Sequence, residues 1–139
     1  MNISKKLLIL FLPIINYQLQ AHYTEPVSLI YEIPTSDELH GALESKKPCI
    51  IKLHAPNCPY CTMFSKTFEK SAKNNRKITF LSANGKNLNA PQIISNYTNG
   101  TIKIPGYPSI LFIKNSKVVD YQIGGNDKIF QEKLENLLK

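Results

Sequence analysis

The stretch Ile50-Ile51-Lys52-Leu53-His54-Ala55-Pro56-Asn57-Cys58-Pro59-Tyr60-Cys61 decides how the chain is read. An apolar, partly β-branched run meets a turn, and the turn delivers two cysteines separated by Pro59 and Tyr60. Beyond them Phe64, Phe68 and Ala72 recur at steps of four, with Ser65, Lys66, Glu69, Lys70 and Lys73 between, which is the period of a helix with one apolar stripe. The simplest local structure is a strand feeding the N-terminus of a helix that begins at the first cysteine. Unpaired backbone N–H groups and the positive end of the helix dipole then favour a thiolate at Cys58.

Two cysteines three apart at a helix start can bring their sulfurs together, so a disulfide forms and breaks with little backbone movement. In motifs of this kind the first thiol has its pKa lowered to roughly 3.5 to 7.5. Cys58 is therefore read as the attacking thiol and Cys61 as the thiol that resolves the mixed disulfide. Two other readings of the pair stay open. A zinc site needs further ligands, but the chain offers one more cysteine and three histidines with no second pair at ligand spacing, so no metal is expected. A purely structural disulfide across so short a loop would constrain the unfolded chain little.

With 139 residues the chain has one domain's worth of sequence. Its start differs from the rest. Lys5 and Lys6 precede an apolar run over residues 7–15, and a polar stretch then ends at the small Ala21. This is the pattern of a secretory signal peptide over residues 1–21, leaving a domain of residues 22–139, although Leu19 before the cut is larger than such sites prefer. The apolar run is well short of the roughly 20 residues that span a bilayer, so no stable membrane insertion is expected after cleavage. The chain ends Asn136-Leu137-Leu138-Lys139, without an endoplasmic-reticulum retention signal, and disulfide chemistry persists in oxidising compartments, so a periplasmic or secreted location is expected. The formal net charge is +7, and removing Lys5 and Lys6 leaves +5. That excess is scattered over lysines, with Arg76 the only arginine, which suits a solvated surface and not nucleic-acid binding.

Periodicity and turn residues lay out the remainder. Residues 27–33 read as a strand, and Thr35 with Glu38 as a capping box opening a helix with Leu39, Ala42 and Leu43 on one face. A strand over residues 49–55 is apolar enough to be central and covered on both sides. After the cysteine helix come a strand at 78–83, a polar loop with Gly85, and a short helix opened by Pro91 and carrying Ile93, Ile94 and Tyr97. Pro105 and Pro108 exclude a central strand over 102–109. Residues 109–114 and 117–123 form a hairpin about Asn115-Ser116. Gly124-Gly125 breaks that run as a strand terminator. Asn126 or Asp127 caps a last helix with Phe130, Leu134, Leu137 and Leu138 on one side. Alternation of this kind means an α/β fold, a mixed central sheet with helices on both faces.

The chain resembles the thioredoxin superfamily over nearly all of residues 22–139. The run Ala55-Pro56-Asn57-Cys58-Pro59-Tyr60-Cys61 is similar to the active-site run of thioredoxin and protein disulfide isomerase domains, and Ile104-Pro105-Gly106-Tyr107-Pro108-Ser109 to the segment holding a cis-proline against the cysteines. The resemblance implies a thioredoxin-like fold, thiol-disulfide exchange with protein thiols and disulfides, including a redox partner protein, no cofactor beyond the cysteine pair, a monomer, a cis bond before Pro108, and substrate contacts at Tyr107 and Pro108. Departures from the family pattern are Asn57 where an aromatic residue is usual, Lys52 where a buried acid assists proton transfer, and Lys66 where a proline kinks the active-site helix. Pro59 and Tyr60, which modulate the pair from between its cysteines, look like the dipeptide of glutaredoxins.

Around this centre His54 either stabilises the thiolate or merely ends a strand. Lys52 is expected to be charged and to favour the thiolate, against the plainer reading of a strand-end lysine in solvent. Cys49 is expected to be a buried hydrophobe and not a third redox group. The Tyr107 backbone could receive an extended substrate segment. Two further functions remain: a non-catalytic binding module docking partners at Tyr107-Pro108, and a glutaredoxin-like enzyme acting on glutathione adducts.

Overall fold

The computed structural model describes residues 28–139, so the expected signal peptide lies outside the described residues. Nine elements follow in the order β1 (Ile30–Ile33), α1 (Ser36–Leu43), β2 (Cys49–His54), α2 (Pro59–Asn74), β3 (Thr79–Asn84), α3 (Ala90–Tyr97), β4 (Ser109–Lys114), β5 (Lys117–Ile123) and α4 (Asp127–Leu137). The five strands make one mixed sheet in the order β1-β3-β2-β4-β5. β2 runs parallel to β3 and antiparallel to β4, so the strand that feeds the cysteines is the central one. The first strand, expected over 27–33, begins among the described residues at Ile30, whose partner in β3 is Phe80.

Side-chain alternation along β2 divides the interior in two. Cys49, Ile51 and Leu53 join Leu39 and Leu43 of α1, Ala90 and Ile94 of α3, and Leu111 of β4. Ile50 faces the other way, with Phe64, Phe68 and Ala72 of α2 and Phe130, Leu134 and Leu137 of α4. Two aromatic pairs of this second cluster pack edge to face, with Phe64–Phe130 centroids 5.1 Å apart and Phe68–Phe80 centroids 5.2 Å apart. Leu138, expected on the buried side of the last helix, caps it instead and is exposed.

Local chemistry explains the ends of these elements. The Thr35 hydroxyl accepts from the Glu38 N–H at 3.2 Å and the Asn126 side chain from the Ile129 N–H at 3.0 Å, satisfying orphan donors of the first turns of α1 and α4. Glu38 reaches back to the Thr35 hydroxyl, whose Oγ1 donates to Oε1 at 3.5 Å, and its other carboxylate oxygen accepts from the Tyr31 hydroxyl at 2.8 Å. Asn115 and Ser116 both take positive φ, 54° and 58°, which is the two-residue hairpin turn whose twist matches the flanking strands. Gly125 does more than end a strand: a Cβ there would stand 2.9 Å from Cβ of Phe64, so the turn into α4 needs its bare backbone to lie against α2.

Candidate active site

β2 ends at His54, the chain turns through Ala55-Pro56-Asn57, and α2 begins at Pro59 with Cys58 as its N-cap. Pro59 suits the first helical position, where an N–H would go unpaired and φ is already set. Asn57 holds φ at 54°, a left-handed conformation that asparagine tolerates and bulky side chains resist. Asparagine is compatible with this conformation at the position where the resemblance would place an aromatic residue. α2 continues unbroken past Lys66, in keeping with the lack of a proline there.

Cys58 and Cys61 are joined as a disulfide with Cα atoms 5.3 Å apart. The Cys61 N–H donates to Cys58 Sγ at 3.2 Å. A sulfur in the N-cap position thus takes the place of the usual oxygen, and the same N–H would stabilise negative charge on Cys58 once the disulfide opens. Cys61 is 6% exposed, beneath the more accessible Cys58. The two sulfurs border an open cleft of about 480 Å³ lined also by Lys52, His54, Asn57, Ser65 and Ser82.

The peptide bond between Tyr107 and Pro108 is cis, and the Tyr107 carbonyl oxygen lies 3.7 Å from Cys58 Sγ. With no S–H in the disulfide this is proximity only; the reduced thiol could donate to that oxygen. The Tyr107 ring rests on the backbone of Gly85, where a Cβ would come within 2.8 Å of Cζ, and burial pushes its phenol pKa up. The segments around Cys58 and Pro108, far apart in sequence, are thereby brought together. Tyr60, 70% exposed, and Met63 extend from the start of α2 into solvent.

Lys52 is not in solvent. Its side chain lies on the α2 side of the sheet, in one row with Ser82 of β3 and Glu32 of β1, and it is 8% exposed. Nζ donates to Ser65 Oγ at 3.1 Å and stands 5.2 Å from the centroid of the Phe68 ring. Burial pushes its pKa down, while the carboxylates of Glu32 and Glu69 pull it up. These carboxylates are distant from Lys52 in sequence: Glu32 arrives from β1 across β3, and Glu69 from α2. His54 Nε2 meets Glu32 Oε1 at 2.6 Å, so the imidazole is turned toward that carboxylate while still bordering the cleft. Cys49, at the far end of β2 and on the opposite face, is 1% exposed, and burial pushes its thiol up to about 12. Among the described residues no three His, Cys, Asp or Glu side chains gather as a metal site.

The thioredoxin family model matches residues 32–138, with both cysteines and Pro108 inside the matched span. The chain belongs to the thioredoxin family. Solved thioredoxins share its fold at low identity. That of Malassezia sympodialis (Mala s 13) is 20% identical with a TM-score of 0.65, covering 84% of this chain and 96% of its own. The Plasmodium falciparum protein is 19% identical with a TM-score of 0.64, covering 76% and 97%. The Trypanosoma brucei brucei protein is 14% identical with a TM-score of 0.66, covering 83% and 96%. No curated protein sequence matches significantly. This thioredoxin-fold chain is therefore a redox protein of that family with its Cys-X-X-Cys pair at disulfide distance, which supports thiol-disulfide oxidoreductase activity at family level.

Proposed function

We propose that the protein is an exported thiol-disulfide oxidoreductase that exchanges disulfides with protein substrates through Cys58 and Cys61. The observation that carries this reading is the placement of Cys58 Sγ: it occupies the N-cap of α2, accepts the Cys61 N–H at 3.2 Å, and borders an open cleft. In the reducing direction the Cys58 thiolate attacks a substrate disulfide, forming a mixed disulfide and releasing one substrate sulfur as thiolate. The Cys61 thiolate then attacks Cys58 Sγ, expelling the second substrate sulfur and closing the Cys58–Cys61 bond. Two electrons pass to the substrate, and the reverse sequence oxidises a dithiol. Tyr107 and Pro108 position the substrate segment beside Cys58, Pro59 and Tyr60 shape the pair from between its sulfurs, and Lys52 and His54 modulate its charge. The chemistry needs no cofactor besides the pair, and the working unit is a monomer.

Export is supported by the leader pattern of residues 1–21; a periplasmic or secreted domain beginning at residue 22 would show as a shortened mass in an envelope fraction. For activity, the test is equilibration of the Cys58/Cys61 pair with a glutathione redox buffer. The expected result is rapid exchange of a single dithiol/disulfide couple. A pair that stays locked would instead favour a binding module, and a strong preference for glutathionylated peptides over protein disulfides a glutaredoxin-like enzyme.

A further inference from the structure

Exchange through Cys58 and Cys61 needs no lysine, yet Lys52 lies buried on the disulfide side of the sheet. An ammonium has three N–H bonds to satisfy and is costly to bury unpaired. One goes to Ser65 Oγ, and Ser65 Oγ in turn donates to the Cys61 carbonyl oxygen at 2.9 Å, four residues back along α2. Phe68 presents its ring to the same ammonium, an arrangement attractive to a cation. The ammonium also borders a second cavity, of about 440 Å³, whose wall carries Glu32 from β1 and Glu69 and Lys73 from α2. Lys52 and Ser82 line this cavity and the disulfide cleft alike, so the cation stands where the two meet.

Two sets of groups compete for it. Glu32 and Glu69 draw it toward the second cavity, Glu32 less freely because His54 already holds its carboxylate, and Lys73 opposes that move by like charge. Ser65 draws it toward Cys61. A flexible four-carbon stem can swing between such partners, so a single hydrogen bond is enough to decide where the head rests.

We propose that Ser65 is a positioning residue of the redox site: its hydroxyl ties the Lys52 ammonium to the first turn of α2, so that the cation acts on the cysteine sulfurs and not on Glu32 and Glu69. This rests on the exchange function given above. Neither residue bonds to sulfur or passes a proton in this role. A fixed positive charge near the sulfurs favours thiolate over thiol and over the neutral disulfide, which stabilises the reduced protein and makes the pair more oxidising.

The test uses chemically reduced protein as wild type, Ser65→Ala, Ser65→Thr, Lys52→Met and the Ser65→Ala/Lys52→Met double variant, with urea unfolding to confirm that each is folded. Two readouts are taken: thiolate absorbance against pH, and the equilibrium with glutathione. Ser65→Ala is expected to raise the apparent pKa of Cys58 and to shift the equilibrium toward the disulfide by up to about tenfold, or about 30 mV for two electrons. Lys52→Met should do the same, the double variant should go no further than Lys52→Met alone, and Ser65→Thr, which keeps the hydroxyl, should restore wild-type behaviour. A silent Ser65→Ala, a silent Lys52→Met, or an equal Ser65→Ala effect in the Lys52→Met background overturns the proposal. Thiolate titration does not depend on exchange. A wild type that fails to exchange with glutathione, yet whose Cys58 pKa follows this pattern, would therefore refute the exchange function and leave the role of Ser65 standing.

Discussion

The two faces of β2 do different work. On one, Cys49, Ile51 and Leu53 belong to an apolar cluster with α1 and α3. On the other, Ile50 is followed by Lys52 and His54, and the apolar packing gives way to charged and polar groups as the strand approaches the disulfide. Both faces are reached from the same six-residue strand, and each ends near a cysteine. What differs is the environment: Cys49 has no route to solvent, whereas Cys58 caps a helix at the edge of a cleft. Thiol chemistry in this fold is set by where the backbone places sulfur, and the strand that places it keeps its burial up to Leu53 while carrying the polar Lys52 and His54 on the disulfide side.

The sharpest way to break that comparison is to exchange the roles of its cysteines. Cys58→Ser should lower disulfide exchange by more than about a thousandfold, because the attacking atom is lost. The hydroxyl it leaves is a good N-cap, so the fold should be kept. Cys49→Ala should leave exchange within about twofold and cost about 1 kcal/mol in urea for the small void it opens in the core. Exchange that survives Cys58→Ser but falls in Cys49→Ala would reverse the assignment of the two faces.

A second effect is read through pH. Burial raises the Cys49 thiol from its ordinary 9.0 to about 12 in the folded protein. Between those values the unfolded chain gives up its Cys49 proton while the folded chain keeps it, so the folded state binds more protons and stability falls as pH rises. The slope this site contributes approaches about 1.4 kcal/mol per pH unit inside the window and vanishes below it. Urea midpoints of wild type and Cys49→Ala should therefore converge or cross on going from pH 8 to about 11. Curves that stay parallel would mean the Cys49 thiol ionises as readily folded as unfolded.

Much of this was legible in sequence because local rules and tertiary needs coincide. The apolar run through Ile50, the helix period after Cys61 and the turn chemistry at Asn115-Ser116 each name their element unaided. The pairing of Pro108 with Cys58 came through resemblance, since nothing local reveals a contact across that many residues. Other features were hidden for physical reasons. Glu32 reaches the neighbourhood of Lys52 only through the register Glu32↔Ser82↔Lys52, which is a property of the sheet. Ser65 reads as one of several polar residues between apolar helix positions. Its spacing of four from Cys61 was the available signal, for it puts a hydroxyl within reach of that carbonyl. Gly125 looks like a terminator until Phe64 is seen packed against its backbone.

The smallest effect expected is also the one that tests what the polar face of β2 costs. Lys52 is charged in the unfolded chain at neutral pH, and burying that charge is unfavourable to the extent that Ser65, the Phe68 ring and the carboxylates of Glu32 and Glu69 fail to replace water. Methionine has a similar length, no charge, and the flexibility to fill the same space beside Phe68. Lys52→Met should accordingly stabilise the oxidised protein, by about 1 kcal/mol near pH 7. The sign with pH follows from the lowered pKa in the folded state. Above that lowered pKa and below the unfolded value, the unfolded chain binds the extra proton, so the wild type gains stability as pH rises and the advantage of the methionine shrinks. Parallel urea titrations at pH 7 and pH 10 check both parts. A Lys52→Met protein less stable than wild type at pH 7 would show that Ser65 and its neighbours fully compensate the ammonium. The two faces of β2 would then be equally well packed, and no stability would be lost to the chemistry.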